Sequence, residues 1–278
     1  MIKPQAYLME NDEEEKRLEI KTDPAALKEQ ALWCGIGPGA TVLDVGCGPG
    51  KTTSLLYELI QPGGEVVGVD FSEKRINYAR KIYSKKQGLE FHIKDMRLPM
   101  DDIGSFDFIW IRFILEYYYN GSVDIIRNVS MNLKQGGWLC LLDLDNNSFN
   151  HWEMPKEMEI VANKCIKRMQ KEYNFDIYAG RKLYSYMYDL GFEDISMNLI
   201  AHHLIYGELK AVDEFNWMKK IETFIQKVPD IFEFYQGGSE KFVNDFKIFF
   251  KDPRRFTYTP LIICKGRKPL DKRIKLSR

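Results

Sequence analysis

The chain has 278 residues, and 40 basic residues balance 40 acidic ones, so it has no global reason to seek nucleic acid or an anionic membrane surface. Five scattered cysteines (34, 47, 140, 165 and 264) form no CxxC pair, which points to reduced thiols and away from a zinc site or a disulfide framework. The charged stretch NDEEEKR at 11–17 does not read as a secretory leader, and no apolar run reaches the roughly 18 residues that span a bilayer, so a cytoplasmic location is expected.

Asp23-Pro24 pairs an N-cap with proline at the first helical position and opens a helix to about Cys34. ATVLDVG at 40–46 is a short buried strand. KTTSLLYELI then places Leu55, Leu56, Leu59 and Ile60 at helical spacing, and Pro62-Gly63-Gly64 stops it. EVVGVD at 65–70 is a second strand, and Ser72 caps a helix carrying Ile76, Ala79 and Tyr83. LEFHIKD at 89–95 and FDFIWIR at 106–112 are the third and fourth strands. SVDIIRNVSMNLKQGG reads as a helix ended by Gly136-Gly137, before a fifth strand, WLCLLDLD, at 138–145. Helices are expected over 152–172 and 180–192, and strands over 194–206 and 256–268, with a helical, aromatic segment at 207–255 between them. Strands alternating with helices imply a parallel sheet covered on both faces.

The loop DVGCGPGKTT at 44–53 admits three chemistries. A phosphate loop needs G-x-x-x-x-G-K-[ST]. Gly50-Lys51-Thr52 supplies its end, but position 45 holds valine, and Asp44 would repel a triphosphate. A dinucleotide loop needs G-x-G-x-x-G. Gly46, Gly48 and Gly50 stand one residue short of that, and Asp44 again opposes a pyrophosphate at the helix start. A ligand that carries an ammonium, a sulfonium and a nucleoside meets neither objection. Asp44 attracts the ammonium, the glycines let the backbone come close, and Asp70 accepts both ribose hydroxyls.

The chain resembles class I S-adenosylmethionine (SAM)-dependent methyltransferases. The resemblance rests on TVLDVGCGPGKTT (41–53), VVGVDFS (66–72), KDMRLP (94–99), FDFIWIRFILEY (106–117) and LKQGGWLCLLDLD (133–145), in that order. It implies a Rossmann-like α/β fold with a seven-stranded, mostly parallel sheet whose last strand is antiparallel, and SAM as cofactor. It further implies that Asp44, Gly46, Cys47, Gly48 and Gly50 form the methionine-side loop, that Asp70 binds the ribose and that Phe71 packs on the adenine. The Asp95 side chain and the Met96 backbone N–H would meet the adenine edge, and Arg112 and Phe113 would fall beside the methionine moiety. The N-terminal segment is similar to that of small-molecule methyltransferases, where a tyrosine and an E-x-x-R-L stretch fold over the cofactor. Tyr7 and Arg17 are the matching positions, with Arg17 set to pair with the methionine carboxylate.

The expected organisation is an N-terminal cap at 1–35, a SAM-binding core at 36–206 plus 256–268, a helical insertion at 207–255 that roofs the acceptor, and a basic tail at 269–278. Seven Lys/Arg against one Asp over 265–278 read as a solvated end. Asp143 and Asp145, two apart at the end of the fifth strand, lie on one side of it. Asp145 and His151 are the catalytic candidates, with Asn146 and Asn147 beside them, and together they suit a polar acceptor or a proton. The alternative is an Asx-rich turn. No metal is expected, because a magnesium-dependent catechol-type site wants an acid after the fourth strand, which ends in Arg112. His202 and His203 are adjacent in a strand, face opposite sides and read as structural.

Trp217, Phe224, Phe232, Phe234 and Tyr235 line an acceptor pocket, bury the insertion onto the body or make a homodimer face; the pattern leaves these open. An aromatic roof suits a small, partly apolar acceptor and obstructs a long nucleic acid. The function expected is SAM-dependent methylation of a small molecule by in-line displacement. Methylation of a protein or RNA, and a non-catalytic SAM-binding regulator, stand as alternatives.

Overall fold

The computed structural model describes residues 22–83, 86–147 and 149–270. Tyr7 and Arg17 lie outside them. In chain order the strands are β1 (Thr41–Val45), β2 (Glu65–Asp70), β3 (Leu89–Ile93), β4 (Phe106–Arg112), β5 (Leu133–Leu144), β6 (Glu193–Ile205) and β7 (Thr257–Arg267). They form one sheet in the order β3-β2-β1-β4-β5-β7-β6. β1 to β5 pair in parallel, and β7 runs antiparallel between β5 and β6. The strand order reverses between β1 and β4, and open α/β sheets bind their ligands beyond the carboxyl ends of the strands at such a point.

Alternation along the strands gives two apolar layers. Leu43, Ile109, Ile111, Leu139 and Leu141 face helices α4 (Ser122–Val129) and α6 (Leu183–Leu190). Val42, Trp110, Cys140, Leu142 and Ile263 face α1 (Pro24–Cys34), α2 (Lys51–Ile60) and α3 (Glu73–Tyr83). The α1 start follows the sequence signal, for the Asp23 carboxylate accepts from the Ala25 N–H at 2.9 Å with Pro24 next in line.

The helix expected to reach Gly136-Gly137 ends at Val129. A single 3-10 turn, Ser130–Asn132, follows, and β5 starts at Leu133 opposite Phe106. Both glycines belong to the strand. The Gly136 N–H donates to Lys268 O (3.0 Å), and the Lys268 N–H to Gly137 O (2.8 Å). A Cβ on Gly137 would stand 2.9 Å from Asp107 O, so close strand approach demands this glycine, not a helix cap.

Helix α5 (Lys156–Tyr173) starts later than residue 152, directly after Pro155. Helix α6 follows a 3-10 turn at Gly180–Lys182 and closes on left-handed Gly191. The β6–β7 register jumps from Ala201↔Pro260 to His203↔Thr259, a β-bulge beside a proline that has no N–H for the ladder. The bulge corrects the expected opposite placement of His202 and His203, because it brings their rings to 4.3 Å between centroids.

Between β6 and β7 the chain forms α7 (Ala211–Lys227), α8 (Pro229–Phe232) and α9 (Gly238–Lys251). These build a second core with α5, in which Trp217, Phe224, Phe232 and Tyr235 are buried; Phe234 is 69% exposed. Four of the five aromatic residues thus bury the insertion against α5. Phe246 lies at the centre of this core, 2% exposed and stacked on Phe250 at 5.3 Å. Phe246→Ala is expected to lower stability by about 3–5 kcal/mol, read as a reduced urea midpoint at unchanged slope.

Candidate functional site

The carboxyl ends of β1, β2 and β4 meet around the glycine loop. Asp44, on β1, is 2% exposed, and its Oδ2 accepts from Thr53 Oγ1 of α2 at 2.7 Å. Burial raises its pKa from 3.8 to about 7; the Thr53 hydrogen bond and the Arg112 charge pull it back, and Asp70 adds to the rise. The loop takes positive φ at Gly46 (73°), Gly48 (55°) and Gly50 (92°). A Cβ on Gly46 would lie 2.2 Å from Ile114 Cδ1, so any other residue would displace that side chain and strain a left-handed backbone. The N–H groups of Gly46 and Cys47 both donate to Val69 O, at 2.8 and 3.0 Å, which fastens the loop to β2. Cys47 is buried, and burial pushes its thiol pKa well up.

Asp70, 6% exposed at the end of β2, ties the loop from the other side. Its Oδ2 accepts the Gly48 N–H at 3.0 Å and its Oδ1 the Ser72 N–H at 2.9 Å, with Arg75 Nη1 at 3.9 Å. Burial raises its pKa; the Ser72 and Gly48 bonds and Arg75 oppose the rise. Two buried carboxylates on either side of one loop repel phosphate. They suit an ammonium and a ribose diol.

Arg112, at the end of β4, donates from Nε to Gln30 Oε1 (3.0 Å) and lies over the Phe113 ring at 4.0 Å. Burial lowers its pKa to about 10, against the pull of Asp44, Asp143 and Asp23. It stays a cation at neutral pH and complements Asp44, so the two present the charge pattern that an α-amino acid group requires. Phe113 itself holds φ 59°, a left-handed conformation for a bulky residue.

On the far side Phe71 is 41% exposed beyond β2. The Asp95 carboxylate is held by Arg97 (Nε–Oδ1 2.9 Å, Nη2–Oδ2 2.6 Å), which lowers its pKa, so an adenine amino group would have to share it with that guanidinium. Met96 is buried and its carbonyl accepts from Asn128 Nδ2 at 2.7 Å.

The acceptor-side candidates are placed differently. Asp145 forms a two-point ion pair with Arg181 (2.7 and 2.9 Å). His151 Nδ1 pairs with Thr257 Oγ1 at 2.7 Å, and its ring meets Trp217, Phe246, Phe249 and Phe250 edge-on. Both side chains thus hold structure. Asp143, 1% exposed, accepts the Glu116 N–H at 3.1 Å and the Leu144 N–H at 2.8 Å. Its pKa is raised well above 3.8 by burial and by Glu116. Glu116, Gln30 and Thr53 were not picked out from the sequence. Thr53 had a local signal, a hydroxyl in the first turn after the loop; Gln30 and Glu116 had none. Among the described residues no three His, Cys, Asp or Glu side chains group as metal ligands, and no helix is long and apolar enough to cross a membrane.

A methyltransferase-domain family model matches residues 36–210. Curated relatives include the demethylmenaquinone methyltransferase of Listeria monocytogenes, 29% identical over 156 residues, or 53% of this chain and 65% of that one. The Staphylococcus aureus enzyme of the same name is 33% identical over 110 residues, 39% of this chain and 45% of its own. The chain therefore spans less than two thirds of the length of these relatives. Among solved structures, the YcgJ protein of Bacillus subtilis superposes with TM-score 0.55 at 18% identity, covering 89% of this chain and 99% of that one. Phosphoethanolamine N-methyltransferase 2 of Haemonchus contortus, solved with SAM, gives 0.53 at 15%, covering 88% and 52%. The cyclase SpnF gives 0.53 at 18%, covering 89% and 82%, so the shared fold does not by itself fix a chemistry. With its model spanning more than half of the sequence, on a sheet of this order and polarity, the chain belongs to the methyltransferase-domain family.

Proposed function

We propose that the protein is a SAM-dependent methyltransferase acting on a small-molecule acceptor. The observation that carries this is the buried pair Asp44 and Asp70 set on either side of one glycine loop, with Arg112 opposite Asp44. Asp44 holds the ligand ammonium, Arg112 its carboxylate and Asp70 its ribose, while Phe71, Asp95 and Met96 serve the adenine. When bound, SAM supplies an electrophilic methyl group on a sulfonium. The work left to the chain is to bind, to align and to exclude water. The insertion α7–α9 roofs the acceptor in this reading, which its packing on α5 and its contact with the end of β5 support. The curated relatives, by their names, methylate demethylmenaquinone. Asp145 and His151 brace this side through Arg181 and Thr257.

Calorimetric titration tests the reading. S-adenosylhomocysteine (SAH) is expected to bind saturably at one site, and ATP with magnesium is not. Lys51→Ala, which would remove the key residue of a phosphate loop, is expected to change SAH affinity by less than about threefold. Saturable ATP binding without SAH binding would overturn the proposal.

A further inference from the structure

A cavity of about 420 Å³ opens between the start of α5, helix α9 and the turn that leads into β7. That volume falls within the roughly 300–1,000 Å³ of small-molecule sites. None of its lining residues is among those assigned to the cofactor, and Glu116, Asp143 and Asn147, at the ends of β4 and β5, do not line it. Met158 of α5 and Tyr235 are buried in its wall, and Phe249 of α9 completes an apolar surface. Trp152 and Ile248 stand at its mouth, 66% and 65% exposed. Large apolar side chains left in water around a cavity mark a place where something binds.

One charge in the wall has no counter-ion. Arg255 lines the cavity and is 2% exposed. Its Nε donates to Phe250 O at 2.5 Å and its Nη2 to Gly207 O at 3.2 Å, so the guanidinium is held by backbone carbonyls over the Phe250 ring, 5.0 Å from its centre. Nη1 is buried and has no acceptor. Burial lowers the pKa of this arginine, and Asp213 and Asp252, acting from beyond ion-pair distance, oppose the drop. The carboxylates of the wall are engaged elsewhere. Asp252 pairs with Arg254 at 3.1 Å, and Glu153 lies 3.7 Å from the same guanidinium. Asp245 accepts from the Tyr235 hydroxyl at 2.7 Å and from Lys241 at 2.6 Å. A buried guanidinium with an idle nitrogen and no ion pair is costly to keep. A carboxylate brought into the cavity supplies both the missing charge and the missing acceptor.

We propose that this cavity is a second ligand site, for an amphipathic carboxylate whose charged end pairs with Arg255 and whose apolar body lies against Met158, Tyr235 and Phe249. Such a ligand touches α5, α9 and the turn before β7 at once, so it fastens the insertion to the body. The site does not depend on the cofactor reading.

The test uses the full chain, saturated with SAH so that Arg112 is occupied, and titrated calorimetrically with 4-phenylbutanoate. The neutral 4-phenylbutan-1-ol is the matched control. The acid is expected to bind saturably at one site and to raise the melting temperature. The alcohol is expected to bind about tenfold or more weaker. Arg255→Met is expected to bind acid and alcohol alike, with SAH affinity unchanged. At low salt, Ile248→Glu at the mouth is expected to weaken the acid about threefold, and Ile248→Lys to tighten it by a similar factor. Thermal melting checks that each variant folds; if Arg255→Met does not, the two exposed Ile248 variants decide. No saturable uptake of the acid, equal affinity for acid and alcohol in the parent, or undiminished acid binding in Arg255→Met would overturn the proposal. Failure of SAH to bind would instead overturn the methyltransferase reading, and the same comparisons made without SAH would still decide this one.

Discussion

Replacing Asp70 with alanine is expected to weaken SAH binding by about 100-fold or more. The estimate follows from counting charge-assisted hydrogen bonds, each worth about 1.5–3 kcal/mol. A ribose diol on one carboxylate makes two, and each 1.4 kcal/mol is about tenfold in affinity. The carboxylate also holds the loop, through the Gly48 N–H at 3.0 Å and the Ser72 N–H at 2.9 Å. Alanine therefore removes the ligand contact and the loop restraint together. Asp70→Asn separates them, because its amide oxygen still accepts one backbone N–H while its NH₂ cannot accept a ribose proton. An intermediate loss is expected for that variant. Titration calorimetry gives the affinities, and thermal melting of the ligand-free variants shows whether the fold survives. Unchanged SAH affinity in Asp70→Ala would place the ribose elsewhere and sink the assignment.

The geometry around the glycine loop was legible in the sequence because it is local. Asp44, the glycines and Asp70 lie within 27 residues of one another, and the two carboxylates meet partners close by in the chain, Thr53, Gly48 and Ser72. The strands were legible for a similar reason: a buried parallel strand is an apolar run between turn residues. Gly136-Gly137 misled because their meaning comes from pairing with Lys268, which no local pattern carries. The antiparallel β7 came from the resemblance alone. The cluster beyond β4 and β5 was not legible in this way. Glu116, Asn147 and Lys220 come from three segments with no common spacing, and only the fold brings them together. Asp145 was chosen by its distance from Asp143, as if the strand alternation continued. Asn146, at φ 50°, breaks that alternation, so Asp145 turns to Arg181 and Asn147 to Glu116. His151 was chosen by nearness in sequence, but a bridge to Thr257 draws it in among the aromatic residues of the insertion.

The second large effect concerns pH. SAH affinity is expected to fall about tenfold for each pH unit below 7, and to level off above it. Asp44 must be ionised to hold an ammonium, and burial has raised its pKa to about 7. Arg112, at about 10, keeps its charge over the same range, and so does the ligand ammonium. Folding responds with the opposite sign. A carboxyl whose pKa is raised from 3.8 to about 7 in the folded chain favours the protonated fold. Its contribution to stability is fully present below the unfolded value and is lost as pH rises through about 7. The ligand-free protein therefore gains stability from Asp44 on acidification while it loses ligand. Asp44→Asn removes both trends, with a weak, pH-independent affinity and no Asp44 contribution to the pH dependence of melting. Calorimetric titrations and thermal scans from acid to neutral pH measure the two slopes. A flat affinity profile in the parent, or the same slope in Asp44→Asn, would mean that another group carries the ammonium. Opposed slopes that vanish together in the variant would tie both to one carboxylate, kept buried because the bound ligand supplies the charge that the fold withholds.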